Sequence, residues 1–240
     1  MSLKPEDLVC FLFSSDEKVF PSSNAFGEWS DHIRERLSFR DSSRNKRYEQ
    51  GLDKELYSFS VDRSKLVSSP KYTNKSLVLV HPFYINFIHT YKLSNPRLNE
   101  EARAYSKDLF ETMSWAKNNG FHVSVFDTLH LYAIYTSFLN EEGLVDSVFF
   151  TEYDSGCLMN KQDLLVFKDD LIFFGGGYNA RCLSRLIDEF KAVVPVDSLK
   201  VITDLVLESP RQYSSLKSSY VRELDLKNHV CLEDFFRKIA

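Results

Sequence analysis

Over residues 76–240 short apolar runs alternate with amphipathic stretches. That pattern predicts an α/β fold, a three-layer αβα domain with a mostly parallel central sheet of about five to six strands. Three observations carry the prediction. Runs such as Leu77–Val80 and "LIFF" are continuously apolar, as strands covered on both faces are. Stretches with helical spacing lie between these runs, and such crossovers join parallel strands. Glycine is scarce, with eight in 240 residues, yet Gly175, Gly176 and Gly177 stand together where a strand pattern gives way to a helix pattern.

The chain divides at about residue 75. Residues 1–75 are polar, serine-rich and broken by Pro5, Pro21 and Pro70, and they read as an N-terminal extension packed on the main domain. Within it "EWSDHIRERLSF" places Trp29, Ile33 and Leu37 at helical spacing. "SFRDSSRNKRYEQG" reads as a loop or a second polar helix, and "ELYSFSVD" alternates as a strand does. The basic run Arg34, Arg36, Arg40, Arg44, Lys46 and Arg47 could hold phosphates. It is interrupted by Glu35 and Asp41, which favours a solvated face.

The α/β domain, residues 76–240, follows in regular order. Leu77–Val80 is a buried strand. The long stretch from Asn95 is a helix whose inner face holds Ala102, Tyr105, Leu109, Met113 and Ala116, with Gly120 as its stop. "HVSVFDT" is a second strand, "LHLYAIYTSFLNEEG" a helix and "DSVFFTEYD" a third strand. "KQDLLVFKDD" fits either a helix or one arm of a hairpin. "LIFFGGG" is a fourth strand leading into the helix "NARCLSRLIDEFKAV". "SLKVITDLVL" is a fifth strand, and "NHVCLEDFFRKIA" closes with a short strand and a helix.

Composition narrows the class. Apolar content of 43% and charged content of 27% suit a globular chain, and a net charge of −4 argues against a nucleic-acid coat. Cys10, Cys157, Cys182 and Cys231 form no CxxC pair, which points to a reducing, cytoplasmic setting. The apolar run Leu8–Phe13 is too short to span a membrane. The expected partner is a small-molecule substrate, with no membrane and no nucleic acid. A homo-oligomer is left open.

Open parallel sheets bind ligands beyond the carboxyl ends of their strands. There the sequence puts His81 and Tyr84, Asp127 and His130, Glu152 and Asp154, the loop from Gly175 to Cys182, and Asp204. Glycines after a buried strand allow positive φ, and a helix start offers free N–H groups to an anion or oxyanion. The same glycines equally make a tight turn with Asn179 as N-cap. The loop is neither GxGxxG nor GxxxxGK[ST], so no cofactor is expected. Cys182 in the first helical turn, beside Arg181, has the setting of an activated thiol, although a lone cysteine facing a sheet is also a common core residue. Asp127 and His130 lack the spacing of metal ligands on one helix face, and no metal site is expected from them.

From Ser76 to Ala240 the order of these pieces resembles the isochorismatase-like cysteine hydrolases. The resemblance rests on "LVHPFYINF", "NNGFHVSVFDT", "DSVFFTEYDSGC", "GGYNARCL" and "KVITDLV" in that order, with Gly176 six residues before Cys182. It implies that Cys182 is the nucleophile and that the backbone from Gly176 to Arg181 forms the oxyanion turn. The family's aspartate falls on His81, its lysine near Thr151 and its threonine on Asn179. Asp127 and His130 do not keep the zinc spacing of related amidases.

The expectation is therefore a small-molecule hydrolase. Cys182, His81, Asp127 and Glu152 carry the chemistry. Tyr84, Asp154, Gly175, Gly176, Gly177, Asn179 and Arg181 contact substrate. Two alternatives stand beside it. One is a relative that kept ligand binding or a scaffold role without chemistry. The other is a nucleotide or phosphate enzyme with a divalent metal at Glu152 and Asp154.

Overall fold

A computed structural model describes residues 66, 68–83, 96–127, 133–152, 156–168, 170–177, 182–207, 224 and 226–238. The elements expected within residues 1–65 lie outside the described residues. The first strand, β1 (Lys75–Val80), is followed by α1 (Pro96–Asn118), β2 (His122–Asp127), α2 (Ala133–Glu141) and β3 (Ser147–Glu152). Then come β4 (Cys157–Leu158), a 3-10 helix (Lys161–Phe167), β5 (Leu171–Gly176) and α3 (Cys182–Phe190). β6 (Leu199–Ile202), β7 (His229–Val230) and α4 (Leu232–Lys238) complete the domain.

These strands form one seven-stranded sheet in the order β4-β3-β2-β1-β5-β6-β7. Every neighbouring pair is parallel except β3 with β4. The α/β fold is as expected. The strand beyond the expected range is the edge strand β4, whose two residues are too few to show a period. "KQDLLVFKDD" resolves as the 3-10 helix, where Asn160 accepts a hydrogen bond from the Gln162 N–H at 3.1 Å.

Two adjacent phenylalanines show the layers. Phe173 and Phe174 follow one another in β5, so their side chains leave opposite faces. Phe173 meets Phe121 and Phe235, with centroids 5.9 and 5.0 Å away, and Phe235 meets Trp115 of α1 at 4.9 Å. Phe174 meets Phe190 of α3 edge-on at 5.1 Å. Thus α1 and α4 cover one face and α3 covers the other. Phe126 also meets Phe190, so its neighbour Asp127 faces the α1 side, where Thr136 of α2 donates to its carboxylate.

Helix α1 behaves as its pattern requires. Ala102, Tyr105, Leu109, Met113 and Ala116 are all fully buried, each large one contributing roughly 1.5–3 kcal/mol on burial. The helix stops at Gly120, φ +75°, in a Schellman motif: Phe121 N–H donates to the Ala116 carbonyl and Gly120 N–H to that of Lys117. Residues 68–74 lie along the amino ends of the strands, with Ser69 N–H donating to Asp146 O at 2.9 Å and Leu171 N–H to Asn74 O at 2.8 Å.

Candidate functional site at the switch point

Strand β1 lies between β2 and β5, and the connections leave in opposite directions on its two sides. The carboxyl ends of β1 and β5 therefore border the crevice such sheets use for ligands. The backbone there is unusual at three residues of these two strand ends. Val80 pairs with Gly176. His81 follows Val80 with φ +43°, and Gly176 and Gly177 have φ +71° and +66°. His81 alone among the described non-glycine residues has positive φ, a conformation that costs a residue with Cβ about 1–2 kcal/mol.

The glycines are explained by closeness. A Cβ on Gly176 would stand 2.8 Å from the Val80 carbonyl oxygen. One on Gly177 would stand 3.0 Å from that same oxygen and 3.2 Å from Cys182 Sγ. The Val80 carbonyl oxygen and the Cys182 thiol thus both crowd the place a Cβ on Gly177 would take. On the other side of Cys182 lies Gly156, φ +76°, where a Cβ would be 2.1 Å from the Cys182 carbonyl oxygen. Gly175 is different. It is still inside β5, and a Cβ there would meet Leu205 at 3.0 Å and Leu79 at 3.3 Å in the core.

Cys182 opens α3 and is 3% exposed. Its electrostatic neighbour is Tyr105, which reaches across from α1 and donates its hydroxyl to the Pro82 carbonyl at 3.2 Å. Burial pushes the Tyr105 hydroxyl far up, and the nearby Cys182 pushes it the same way. In the sequence Tyr105 is one member of an apolar stripe. Only its polar tip on that stripe hinted at more.

His81 is 2% exposed, and its N–H donates to Phe126 O at 2.9 Å. Its Nε2 lies 2.7 Å from Thr151 Oγ1, and Thr151 donates to the Asp127 main-chain carbonyl at 3.4 Å. A hydroxyl has one proton. The assignment that satisfies both bonds has Nε2–H donating to Thr151, which leaves Nδ1 as the basic nitrogen. Asp127 is fully buried, but it is its carbonyl that reaches Thr151, while its carboxylate accepts from Thr136. Thr151, which in the sequence only marks a departure from the family, is a side chain that bonds His81. Glu152, next along β3, faces solvent and pairs by its backbone with Cys157.

Tyr84, His130, Asp154, Asn179 and Arg181 lie outside the described residues. Asp204 has a structural use, its carboxylate accepting from the Leu232 N–H at 2.8 Å at the start of α4. Among the described residues no three His, Cys, Asp or Glu side chains are grouped to hold a metal ion. No described helix is long and apolar enough to cross a membrane. Comparison with protein-family models, with curated proteins and with solved structures finds no match.

Proposed function

We propose that the chain is a small-molecule hydrolase whose nucleophile is Cys182. The observation that carries the reading is the convergence at the switch point. The Cys182 thiol and the Val80 carbonyl oxygen both crowd the place a Cβ on Gly177 would take, and the residue after Val80 is the buried, left-handed His81. Strained residues that a fold keeps in place cluster at working sites. The resemblance to the isochorismatase-like cysteine hydrolases supports the same assignment of Cys182.

In this reading His81 takes the thiol proton on Nδ1, with Thr151 holding Nε2. Sγ then attacks a carbonyl carbon, and the carbonyl π pair moves onto oxygen. Backbone N–H groups at the start of α3 and in the glycine turn stabilise that oxyanion. The leaving group departs with the proton from His81. Water, deprotonated by His81, then attacks the thioester, releasing the acid and the thiol. Glu152, at the exposed rim, and Asp127 act on substrate and on histidine placement respectively.

A second reading has a specific observation behind it. Cys182 belongs to the apolar core cluster, as a thiol that only packs would, so the domain would bind a small ligand without turning it over. Iodoacetamide labelling at neutral pH separates the two. The hydrolase reading expects Cys182 to react faster than a model thiol, and Cys182→Ser to abolish turnover of small esters and amides. Labelling no faster than the model thiol, with ligand-dependent thermal stabilisation retained in Cys182→Ser, establishes the binding reading instead.

A further inference from the structure

The amino end of the sheet, opposite the crevice, holds a second buried polar cluster. Residues 68–71 are tied into it at several points. Ser68 Oγ lies 3.2 Å from Ser147 Oγ, and Ser69 N–H donates to Asp146 O at 2.9 Å. Lys71 pairs with Asp170 and also donates to Val166 O at 2.8 Å. Ser76 at the head of β1 donates to the same Asp170 oxygen at 2.5 Å. At the centre is His122, the first residue of β2, 6% exposed, with Nε2 2.9 Å from Ser147 Oγ.

The charges around His122 are already matched. Lys117 from the end of α1 pairs with Asp146 ahead of β3, and Lys71 from the entering segment pairs with Asp170 ahead of β5. Asp146 is held further by the Val123 N–H at 2.8 Å. These four residues are the charged groups that act on His122. A proton added to His122 would be a fifth charge, buried where the four charges that act on it are already matched in pairs.

We propose that His122 is a pH-sensitive latch: neutral, it holds residues 68–71 against the sheet through Ser147, and protonated, it releases them. This segment joins the first 65 residues to the domain, so release would loosen that connection while β1 stays in the sheet. Burial, the largest effect, holds the imidazole below its usual range, Lys71 and Lys117 push the same way, and Asp146 and Asp170 oppose them.

The test is hydrogen exchange on the full chain, corrected for intrinsic rates. The Ser69 amide is expected to lose about tenfold in protection between about pH 7.5 and about pH 5, while Leu77–Val80 keep theirs. His122→Gln, which can still bond Ser147 but takes no charge, is expected to hold Ser69 at both values. The latch is overturned if Ser69 is equally protected at both pH values in the wild type. It is also overturned if His122→Gln loses Ser69 to the same extent, or if β1 amides open together with Ser69. Should His122→Gln not fold, the wild-type imidazole titration decides. A midpoint coincident with Ser69 release supports the latch, and a separate midpoint overturns it.

Discussion

The two ends of the sheet bury polar groups in opposite ways. At the amino end the charges are paired and the chain is ordinary: Lys71 with Asp170, Lys117 with Asp146, and the strand heads donating into the same carboxylates. At the carboxyl end the described residues of the site meet by close backbone approach and by hydrogen bonds. Its side chains are a thiol, a phenol, an imidazole and a hydroxyl, held where the backbone takes left-handed turns. One end is held together by matched charge and the other by close backbone approach. Titratable groups kept in strained surroundings suit chemistry, and matched charges suit attachment.

Four changes test that contrast. The largest effect is expected at the carboxyl end. Gly156→Ala drives a methyl into the Cys182 carbonyl and forces positive φ on alanine. It should cost about 4 kcal/mol or more in denaturant unfolding. A cost below about 1 kcal/mol would show that Cys182 is not held by close backbone approach.

Next comes Asp170→Ala, which strands the half-buried Lys71 ammonium and removes the acceptor of Ser76. Burial already pushes that ammonium down more than Asp170 pulls it up. A loss of about 3 kcal/mol is expected, because an uncompensated buried cation is left behind. An unchanged midpoint would mean that matched charge is not what secures the amino end.

Thr151→Val should cost about 2 kcal/mol by leaving His81 Nε2 without its hydroxyl. A purely structural bond would change stability alone. If Thr151 also sets the histidine tautomer, the pH profile of Cys182 alkylation moves as well. The smallest effect belongs to Lys227→Ala. Its pair with Asp197 is largely in solvent, and thermal melts should not distinguish this variant from the parent.

Acid should act first at the amino end. A histidine held below its usual range stays neutral in the fold while the unfolded chain takes the proton. Its contribution is therefore full above the unfolded value near 6.5 and is lost as pH falls from there toward the lowered folded value. Melting temperature measured downward through that window should fall in the parent and fall less in His122→Gln.

Much of this was written in local pattern. The α1 stripe and its glycine stop follow from a period of 3.6 and one positive φ. The glycine turn before Cys182 also stood out, because glycines are rare and three together after an apolar run mark a special exit. The details of the site were less visible. Asp127 was one of three carboxylates that could orient the histidine or contact substrate; tertiary packing shows that its carboxylate accepts from Thr136 and its main-chain carbonyl from Thr151, the residue on His81 Nε2. Glu152 looked more chemical than Thr151, but the inward residue of that pair is Thr151.

The sequence by itself determined the class of fold, the extent of α1, and which strand would carry the glycine exit. These depend on periodicity and on backbone freedom within a few neighbouring residues. The tertiary structure alone decided that β1 stands between β2 and β5, that Tyr105 from one layer and Cys182 from the other approach the same crossing, and that Gly156 closes on Cys182. Those contacts join residues far apart in the chain. They exist only once strand order brings them together, and no local pattern encodes that order.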